Sequence, residues 1–515
     1  MTWEKEIDEL RQRQALARAM GGEDKVARQH KAGRLTVRER IDALLDPGSF
    51  REIGSISGVA AYDDAGGIAA FTPTNFVFGR GRIAQRPVVV AGDDFTVRGG
   101  ASDASIIEKL VAAEQMAHEL RLPMVRLVEG SGGGGSVKSL EALGYTYVPY
   151  LPGWEFMARN LATVPVVSLG LGPIAGFGAA KIVASHYCVL VRGQSQMFVA
   201  GPPVVAAAGQ KLTKEELGSS RIHAGNGAID DEVASEQEAF ERARRFLSYL
   251  PSSVFELAAR VASDDDPGRR EEFLASAVPR DRREVYRMRP ILEAVVDTGS
   301  FFEVGRLHGR SVITGLARLD GWPVAVVASD PFVMGGLWTA ASSAKLERFV
   351  SFAETFHLPV VHFVDNPGFM IGKQAEQEGT IRAGVRALTA VYQATVPWCT
   401  ILVRKAFGVA GAGHQNHTRF HYRYAWPSGD WGSLPIEGGI EAAYKADLDA
   451  APDRAARAAE IAERLNRVRS PFRSAERFQI EEIIDPRDTR GVLCEFAHLA
   501  APLRQPGPAA FGYRP

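Results

Sequence analysis

The sequence has few cysteines, almost no net charge and no long apolar run. Its three cysteines, Cys188, Cys399 and Cys494, lie far apart and match neither a zinc spacing nor a disulfide framework, which fits a reducing cytosol. A net charge of −1 provides no global field that would favour nucleic acid or an anionic membrane. The charged amino terminus, MTWEKEIDEL, does not resemble a signal peptide, so we expect a cytoplasmic protein without a membrane span.

Several catalytic and cofactor-binding motifs are missing as well. No Ser-His-Asp order, Walker loop or strand–GxGxxG–helix unit is present. His414, His417 and His421 are close in sequence but have no cysteine or carboxylate neighbours. We therefore interpret them as loop histidines near a polar site, and we predict no metal in this chain.

What the sequence does contain is one pattern present twice. The segment LPVVHFVDNPGFMIG, at Leu358–Gly372, predicts a buried parallel strand that ends in a Pro-Gly turn. The segment LPMVRLVEGSGGGG, at Leu122–Gly135, has the same layout 236 residues earlier. Other pairs at this offset are Pro87 with Pro323, Asp94 with Asp330, Gly99-Gly100 with Gly335-Gly336, and Glu129 with Asp365. We therefore predict an α/β protein made of one duplicated domain, residues 1–275 and 276–515.

Glycine-rich segments follow four of the predicted strands. They are Ser131–Gly135, Gly172–Gly178, Asn366–Gly372 and Gly408–Gly413. Ligands bind at the carboxyl ends of strands in open α/β sheets, and backbone N–H groups there hold anions. Such groups suit the oxyanion that develops when a thioester becomes an enolate. One such turn alone would be interpreted as structural, but four in a duplicated pattern favour a functional role.

Eight segments together point to one family. They are GRLTVRERIDALLDPGSF at Gly33, SGGGG at Ser131, GPIAGFG at Gly172, FVAGPPVV at Phe198, LTKEELGSSRIH at Leu212, VDNPGFMIG at Val364, RKAFGVAGAG at Arg404 and WPSGDWGSLPIEGGIEA at Trp426. This combination resembles the carboxyltransferase (β) subunit of biotin-dependent acyl-CoA carboxylases, such as those acting on propionyl-, acetyl- and methylcrotonyl-CoA, over nearly the whole chain. The resemblance implies two crotonase-like ββα-superhelix domains.

The resemblance also implies a mechanism. In that family, carboxybiotin on a carrier domain delivers carbon dioxide to the α-carbon of an acyl-CoA. Gly132-Gly133 then match one oxyanion hole and Val409-Ala410 the other, one facing the thioester enolate and one the biotin urea oxygen. No side-chain base is implied, because the released biotin nitrogen takes the α-proton. The residues predicted to bind substrate or biotin are Gly99, Gly100, Gly172, Gly176, Gly335, Gly336, Pro367, Gly368, Phe369, Gly411 and Ala412.

The sequence departs from the family pattern in two places. Gly411 and Ala412 stand where short-chain members usually carry an aromatic and an acidic residue, and Gly135 stands where they often carry arginine. Both departures predict a larger or less polar acyl pocket. The aromatic loop Tyr145–Trp154 is either a lid or pocket wall, or simply a packed surface loop.

Partners are implied by what the chain does not carry. It has no biotin-acceptor Met-Lys-Met and no ATP-binding segment, so biotin carboxylase and the biotin carboxyl carrier, or a fused α subunit, are expected on other chains. It also lacks the four-cysteine zinc ribbon of the bacterial acetyl-CoA carboxylase type. The resemblance implies a homohexamer, a trimer of dimers, in which the first domain of one subunit faces the second domain of another.

Three other functions stay open at this point. The chain is alternatively a biotin-dependent acyl-CoA decarboxylase subunit, or a non-catalytic scaffold that binds the biotin subunit. A crotonase-type hydratase or isomerase would need two carboxylates facing the substrate, for which Glu129 and Asp365, on opposite repeats, are the candidates.

Overall fold

The computed structural model describes residues 2–101, 104–131, 140–141, 144–416 and 419–515. It divides into two compact units, unit 1 up to Glu256 and unit 2 from Leu257 to Arg514. Residues 257–275, which the sequence analysis assigned to the first domain, contact unit 2 instead. For example, the Arg260 guanidinium donates to the Asp320 carbonyl at 2.7 Å, and Arg269 donates to the Val296 carbonyl at 3.0 Å.

Unit 1 is built on one mixed sheet of eight strands and a separate hairpin. Its strands are β1 (Arg51–Ile53), β2 (Gly58–Tyr62), β3 (Ile68–Pro73), β4 (Phe76–Ile83), β5 (Arg86–Asp93), β6 (Met124–Ser131), β7 (Val166–Ala175), β8 (Tyr187–Val191), β9 (Gln196–Phe198) and β10 (Asp231–Val233). The sheet order is β1-β4-β5-β6-β7-β8-β10, β9 also pairs with β7, and β2 pairs with β3 as the hairpin. The strands are antiparallel from β1 to β5 and parallel from β5 to β10.

In unit 1, three helices precede the strands in the chain, and the others lie between strands or after them. The helices are α1 (Glu4–Arg18), α2 (Glu23–Lys31), α3 (Val37–Leu44), α4 (Ile107–Leu120), α5 (Trp154–Asn160), α6 (Phe177–Val183), α7 (Pro202–Ala207), α8 (Lys214–Gly218), α9 (Ser220–Asn226) and α10 (Glu236–Ser248). The start of α3 is fixed by a capping box, in which Thr36 and Glu39 each satisfy a backbone N–H of the other.

Unit 2 repeats the sheet without the hairpin. Its strands are β11 (Phe302–Val304), β12 (Val312–Leu319), β13 (Trp322–Ser329), β14 (Val360–Asn366), β15 (Trp398–Phe407), β16 (Tyr422–Ala425), β17 (Asp430–Gly432) and β18 (Glu482–Ile483). The order is β11-β12-β13-β14-β15-β16-β18, and β17 also pairs with β15. Its helices are α11 (Met288–Val295), α12 (Ala340–Thr355), α13 (Lys373–Gln377), α14 (Thr380–Gln393), α15 (Gly408–Ala412), α16 (Ile436–Ala443), α17 (Lys445–Asp449), α18 (Arg454–Asn466), α19 (Pro471–Ala475) and α20 (Thr489–Ala500).

The two sheets have the same strand order, and their long antiparallel ladders also agree in register. The β4–β5 ladder runs from the pair Phe76–Asp93, and the β12–β13 ladder runs from Val312–Ser329, so both partners keep the offset of 236 residues. The short strands β9 and β17 also hold the same place beside β7 and β15. The predicted duplication of one α/β fold is therefore confirmed.

Both sheets are buried at their parallel centres. All seven residues of β14 and all five of β8 are buried, as expected for strands covered on both faces. In unit 2, Ile313, Val326, Phe363, Ile401 and Phe496 belong to one apolar core. Because the core lies on the sheet faces, polar groups at the carboxyl strand ends are left to form a site.

Candidate functional site

Both sheets contain the same irregularity between their two central parallel strands. The register shifts where Val128–Gly130 of β6 faces Gly170–Ile174 of β7, and again where Val364–Asn366 of β14 faces Leu402–Ala406 of β15. The longer strand of each pair therefore contains a bulge, which redirects it. Beyond the bulge, β7 and β15 pair with β9 and β17 and then end at a glycine turn.

A buried glutamate fills the bulge of unit 1. The Glu129 side chain has no exposed area, and its carboxylate forms ion pairs with Arg34 and Arg40. Arg40 also donates to the Glu236 carboxylate at 2.8 Å and to the Leu171 carbonyl, inside the bulge, at 2.9 Å. Glu129 thus links helix residues near the start of the chain to the redirected part of β7.

A buried aspartate occupies the matching place in unit 2. Asp365 has no exposed area and accepts three hydrogen bonds: from the Tyr286 hydroxyl at 2.8 Å, from Arg404 Nε at 3.0 Å and from the Lys405 backbone N–H at 3.1 Å. Arg404 also donates to the Glu284 carbonyl at 2.8 Å. Because Arg404 and Lys405 lie in the bulge, Asp365 holds the backbone that leads to the turn after β15.

These two carboxylates are counter-ions rather than available bases. Burial raises the pKa of Glu129 and of Asp365, and the neighbouring guanidiniums oppose that rise. In both cases the donors point at the carboxylate oxygens, which suits the ionised form. The carboxylate pair that a hydratase would need is therefore committed to structural ion pairs.

The two Gly-Gly loops lie against the ends of β6 and β14. Gly99, Gly100, Gly335 and Gly336 all have positive φ, at 63°, 69°, 65° and 83°. An added Cβ at Gly100 would lie 2.6 Å from the backbone carbonyl oxygen of Glu129, and one at Gly336 would lie 2.3 Å from that of Asp365. Backbone conformation thus favours glycine at all four positions, and close approach also requires it at Gly100 and Gly336, while a substrate contact stays a prediction.

The two glycines predicted on β7 have different surroundings. A Cβ at Gly172 would lie 2.3 Å from Glu129 Oε1, so this glycine makes room for the buried carboxylate. Gly176 precedes α6 with φ of +59°, and its N–H donates to the Phe198 carbonyl at 3.1 Å. A ligand contact by Gly172 or Gly176 stays a prediction.

The Pro-Gly turn after β14 is closed by its own polar groups. The Gly368 N–H donates to Asn366 Oδ1 at 2.9 Å, and the Gly368 carbonyl accepts from the Trp338 N–H at 3.0 Å. Phe369 packs edge-to-face on Trp338 with ring centroids 6.0 Å apart. Pro367, Gly368 and Phe369 are half-buried, so part of each can contact a ligand.

The turn after β15 presents backbone N–H groups. Gly408 has φ of +60° and begins α15, whose first-turn N–H groups have no partner within the helix. The preceding residue, Phe407, provides no side-chain cap. Val409 is 60% exposed and Ala410 is buried, so of these two residues only Val409 lies at the surface of this short turn.

The last residues of α15 differ from each other. A Cβ at Gly411 would lie 2.6 Å from the Ala406 carbonyl carbon, so no side chain fits there on this backbone. The extra pocket volume expected from glycine at this position is therefore filled by Ala406. Ala412 is exposed, and its predicted place in an acyl pocket stays a prediction.

Comparison with known proteins identifies the family. The carboxyl transferase domain matches residues 28–507. The chain belongs to the carboxyl transferase family. It is 34% identical over 502 residues to the propionyl-CoA carboxylase carboxyltransferase subunit of Haloferax mediterranei, covering 96% of this chain and 95% of that protein. It is also 31% identical to the methylmalonyl-CoA decarboxylase α subunit of Veillonella parvula, covering 100% and 99%.

A solved structure supports the same assignment. Transcarboxylase 12S, a hexamer with methylmalonyl-coenzyme A and methylmalonic acid bound, superposes with a TM-score of 0.87 at 31% identity, over 99% of this chain and 97% of that one. The predicted family, the crotonase-like two-domain fold and the assignment to carboxyltransferase enzymes are confirmed. No helix in the described part of this carboxyl transferase is long and apolar enough to cross a membrane.

Some of the residues predicted for the site of this carboxyl transferase lie outside the described part of the chain, and others lie within it. Gly132 and Gly133, the first predicted oxyanion hole, lie outside the described residues, as do Gly135 and His417. His414 is buried beside the Gly411 carbonyl, its Nδ1 at 2.7 Å, and His421 lies 3.4 Å from Glu481. Within the described ranges no group of three or more histidine, cysteine or acidic side chains could hold a metal.

The sequence analysis missed the cations that hold the bulges. Arg40 and Arg404 are 1% and 2% exposed, and each is the main partner of a buried acid. The match of Glu129 with Asp365 was visible in the sequence and could have prompted a search for their counter-ions. The arginines themselves come from unmatched places, an early helix in unit 1 and a strand in unit 2, so no offset could reveal them.

Proposed function

We propose that this chain is the carboxyltransferase subunit of a biotin-dependent acyl-CoA carboxylase. It transfers a carboxyl group from carboxybiotin, held on a separate carrier protein, to the α-carbon of an acyl-CoA. Coenzyme A thioester is the substrate, and no metal in this subunit takes part.

One observation carries the proposal. At the two matched strand ends the buried carboxylates are neutralised by arginines, and the turn after β15 offers backbone N–H groups instead. A site made of such donors stabilises an oxyanion and contains no strong base. That chemistry suits an enolate and does not suit hydration of a double bond.

The residues of the chain then act as donors and as supports. The N–H groups of Val409 and Ala410 bind one oxyanion, and those of Gly132 and Gly133 bind the other. Asp365 and Arg404 hold the backbone before Val409, so its N–H direction is set before the substrate binds. Carboxybiotin supplies the activated carboxyl group, and the α-proton of the acyl-CoA leaves with the biotin urea nitrogen.

Partners and location are part of the same proposal. We propose that a biotin carboxylase and a biotin carboxyl carrier, or one fused α subunit, complete the enzyme, and that this subunit forms a homohexamer in the cytoplasm. Light scattering should give a mass near six chains, and a monomer at working concentration would contradict the assembly. The three cysteines are buried and form no disulfide bond, which fits a reducing compartment.

A reconstituted assay tests the activity. The subunit is combined with a biotinylated α subunit, and acyl-CoAs of graded length are screened for ATP-dependent fixation of labelled bicarbonate. Val409→Pro removes one donor at a first-turn position that tolerates proline, whereas the control Val409→Ala keeps the N–H. We expect fixation in the wild type and in the control, and a loss in Val409→Pro.

Decarboxylation is the second candidate. It is favoured by the full-length similarity to the Veillonella parvula decarboxylase subunit. Release of carbon dioxide from methylmalonyl-CoA by subunit plus biotinylated carrier, without ATP, would support this direction. A failure to bind any acyl-CoA would instead favour the non-catalytic scaffold.

A further inference from the structure

Unit 2 contains a cavity of about 640 Å³ that is separate from the glycine turns. Residues 274–275, 278–280, 282, 426–429, 469–472 and 485–487 form its walls, together with the buried Arg404. Pockets that take small organic ligands span about 300–1,000 Å³, so this cavity has room for a molecule of mononucleotide size. None of the residues assigned above to substrate or biotin lines it.

The cavity is lined by five arginines and one acidic residue. They are Arg280, Arg282, Arg404, Arg469, Arg487 and Asp485. The guanidinium group is planar and always charged, and its fork of donors matches the oxygens of a phosphate or carboxylate. The lining chemistry therefore points to an anion.

Three of these arginines are fixed by ion pairs and shape the wall. Arg404 is held by Asp365, Arg469 lies 2.5 Å from Asp430, and Arg487 lies 2.6 Å from Asp485. Their charges are already balanced, so they contribute shape and leave little free charge.

The other two have donors to spare. Arg282 lies 3.5 Å from the Asp430 carboxylate, a long contact, and its side chain is 39% exposed. Arg280 is exposed and makes no hydrogen bond or ion pair with any residue that the structure describes. Two cations that line one cavity, one with only a long ion pair and one with no ion pair among the described residues, can be neutralised by a doubly charged ligand group.

The remaining lining includes Ser428 and Ser470, several apolar side chains and an exposed ring. Leu274 and Val278 lie on one wall, and Phe472, which is 54% exposed, lies on another. A bare inorganic anion would leave this apolar surface in contact with water. We propose that the cavity binds an organic phosphate, with the phosphate groups on Arg280 and Arg282 and the organic part against Phe472.

Binding is measured on the full-length protein by isothermal titration, without turnover. The probes are ADP, adenosine 3′,5′-bisphosphate, which is the nucleotide part of coenzyme A, and pyrophosphate. We expect a Kd below 1 mM for at least one nucleotide, about tenfold weaker binding for each of Arg280→Ala and Arg282→Ala, and weakening by salt. Tighter binding of ADP assigns the ligand to free nucleotides, and tighter binding of the bisphosphate assigns it to coenzyme A esters.

Two further variants separate charge, shape and folding. Arg283→Ala removes a neighbouring arginine that is 92% exposed, pairs with Asp281 and does not line the cavity, so binding should be unchanged. Ala275→Trp fills the cavity from its exposed wall and should abolish binding while every arginine stays. No binding of any probe, equal loss in Arg283→Ala, or pyrophosphate binding as tight as the nucleotides would overturn the proposal. None of these outcomes depends on carboxyl transfer, so a failure of this proposal would leave the proposed function unaffected.

Discussion

Replacing Asp365 by asparagine tests the role of the bulge in unit 2. Asp365→Asn keeps the size of the side chain and one acceptor for the Lys405 N–H. It removes the negative charge beside Arg404, which is only 2% exposed. In the wild type, the Tyr286 hydroxyl and Arg404 Nε lie 2.8 and 3.0 Å from the same carboxylate oxygen of Asp365. In Asp365→Asn both donors would face either the amide NH₂ or a neutral oxygen.

The magnitude follows from burial. An exposed ion pair contributes about 0–1 kcal/mol, but breaking a buried pair costs about 3–5 kcal/mol because one charge is left uncompensated. Both partners here are at most 2% exposed, so we expect a loss of about 3–5 kcal/mol in the unfolding free energy of unit 2. Asp449→Asn is the matched control, since that pair with Arg454 is about half exposed and should change stability by less than about 1 kcal/mol.

Denaturant unfolding followed by tryptophan fluorescence measures these changes, and a second variant isolates the pair. Arg404→Met combined with Asp365→Asn removes both charges, so the double variant should be more stable than Asp365→Asn alone. Under the proposed function, the double variant should still turn over slowly, with kcat reduced more than KM is raised, because the bulge is no longer held. A loss below 1 kcal/mol in Asp365→Asn, or strict additivity of the two changes, would refute the reasoning.

Three further predictions concern the oxyanion turns, the acyl pocket and pH. Gly133→Pro should cut turnover by about 3–4 kcal/mol of transition-state stabilisation in a folded protein, and full activity would place the hole elsewhere. Ala412→Asp and Ala412→Ile should both shift kcat/KM toward shorter acyl-CoAs, since each buried methylene contributes about 0.8 kcal/mol, and an unchanged ranking would remove Ala412 from the pocket. Burial, with His414 nearby, lowers the pKa of His362 from 6.5 to about 3. The unfolded chain therefore binds a proton that the folded protein does not, and stability should fall by up to about 1.4 kcal/mol per pH unit below pH 6.5. His362→Gln should lose this slope in acid titrations of the unfolding midpoint.

The duplication was predictable because it left local marks. The β4–β5 and β12–β13 ladders have equal lengths, so no insertion disturbs the offset through their turns. Proline and glycine then mark the ends of β6 and β14 in each copy, since neither residue continues a strand. The duplicated fold and the positions of these strand ends followed from these marks.

The function of individual glycines was not predictable. Gly172 and Gly411 lie in glycine-rich strand ends just as Gly408 does, yet they are required because a Cβ would meet the Glu129 carboxylate or the Ala406 backbone. A sequence does not distinguish a glycine that exposes an N–H from one that makes room for a neighbour. The partners of Glu129 were hidden for a related reason, because Arg40 is 89 residues away in sequence and the contact exists only in the folded unit.

The matched bulges also bear on how this protein could have evolved. An ancestral protein with one unit per chain, assembled from two identical chains, would have carried the same turn in both chains. Any substitution would then have changed both turns at once. After gene duplication each turn could change alone, and the matched turns after β7 and β15 now differ, with phenylalanine and glycine at 177 and 178 but valine and alanine at 409 and 410. The bulge and its buried acid are present in both repeats, whereas the supporting arginines come from different elements. The two repeats therefore share a backbone geometry but differ in the side chains that hold it.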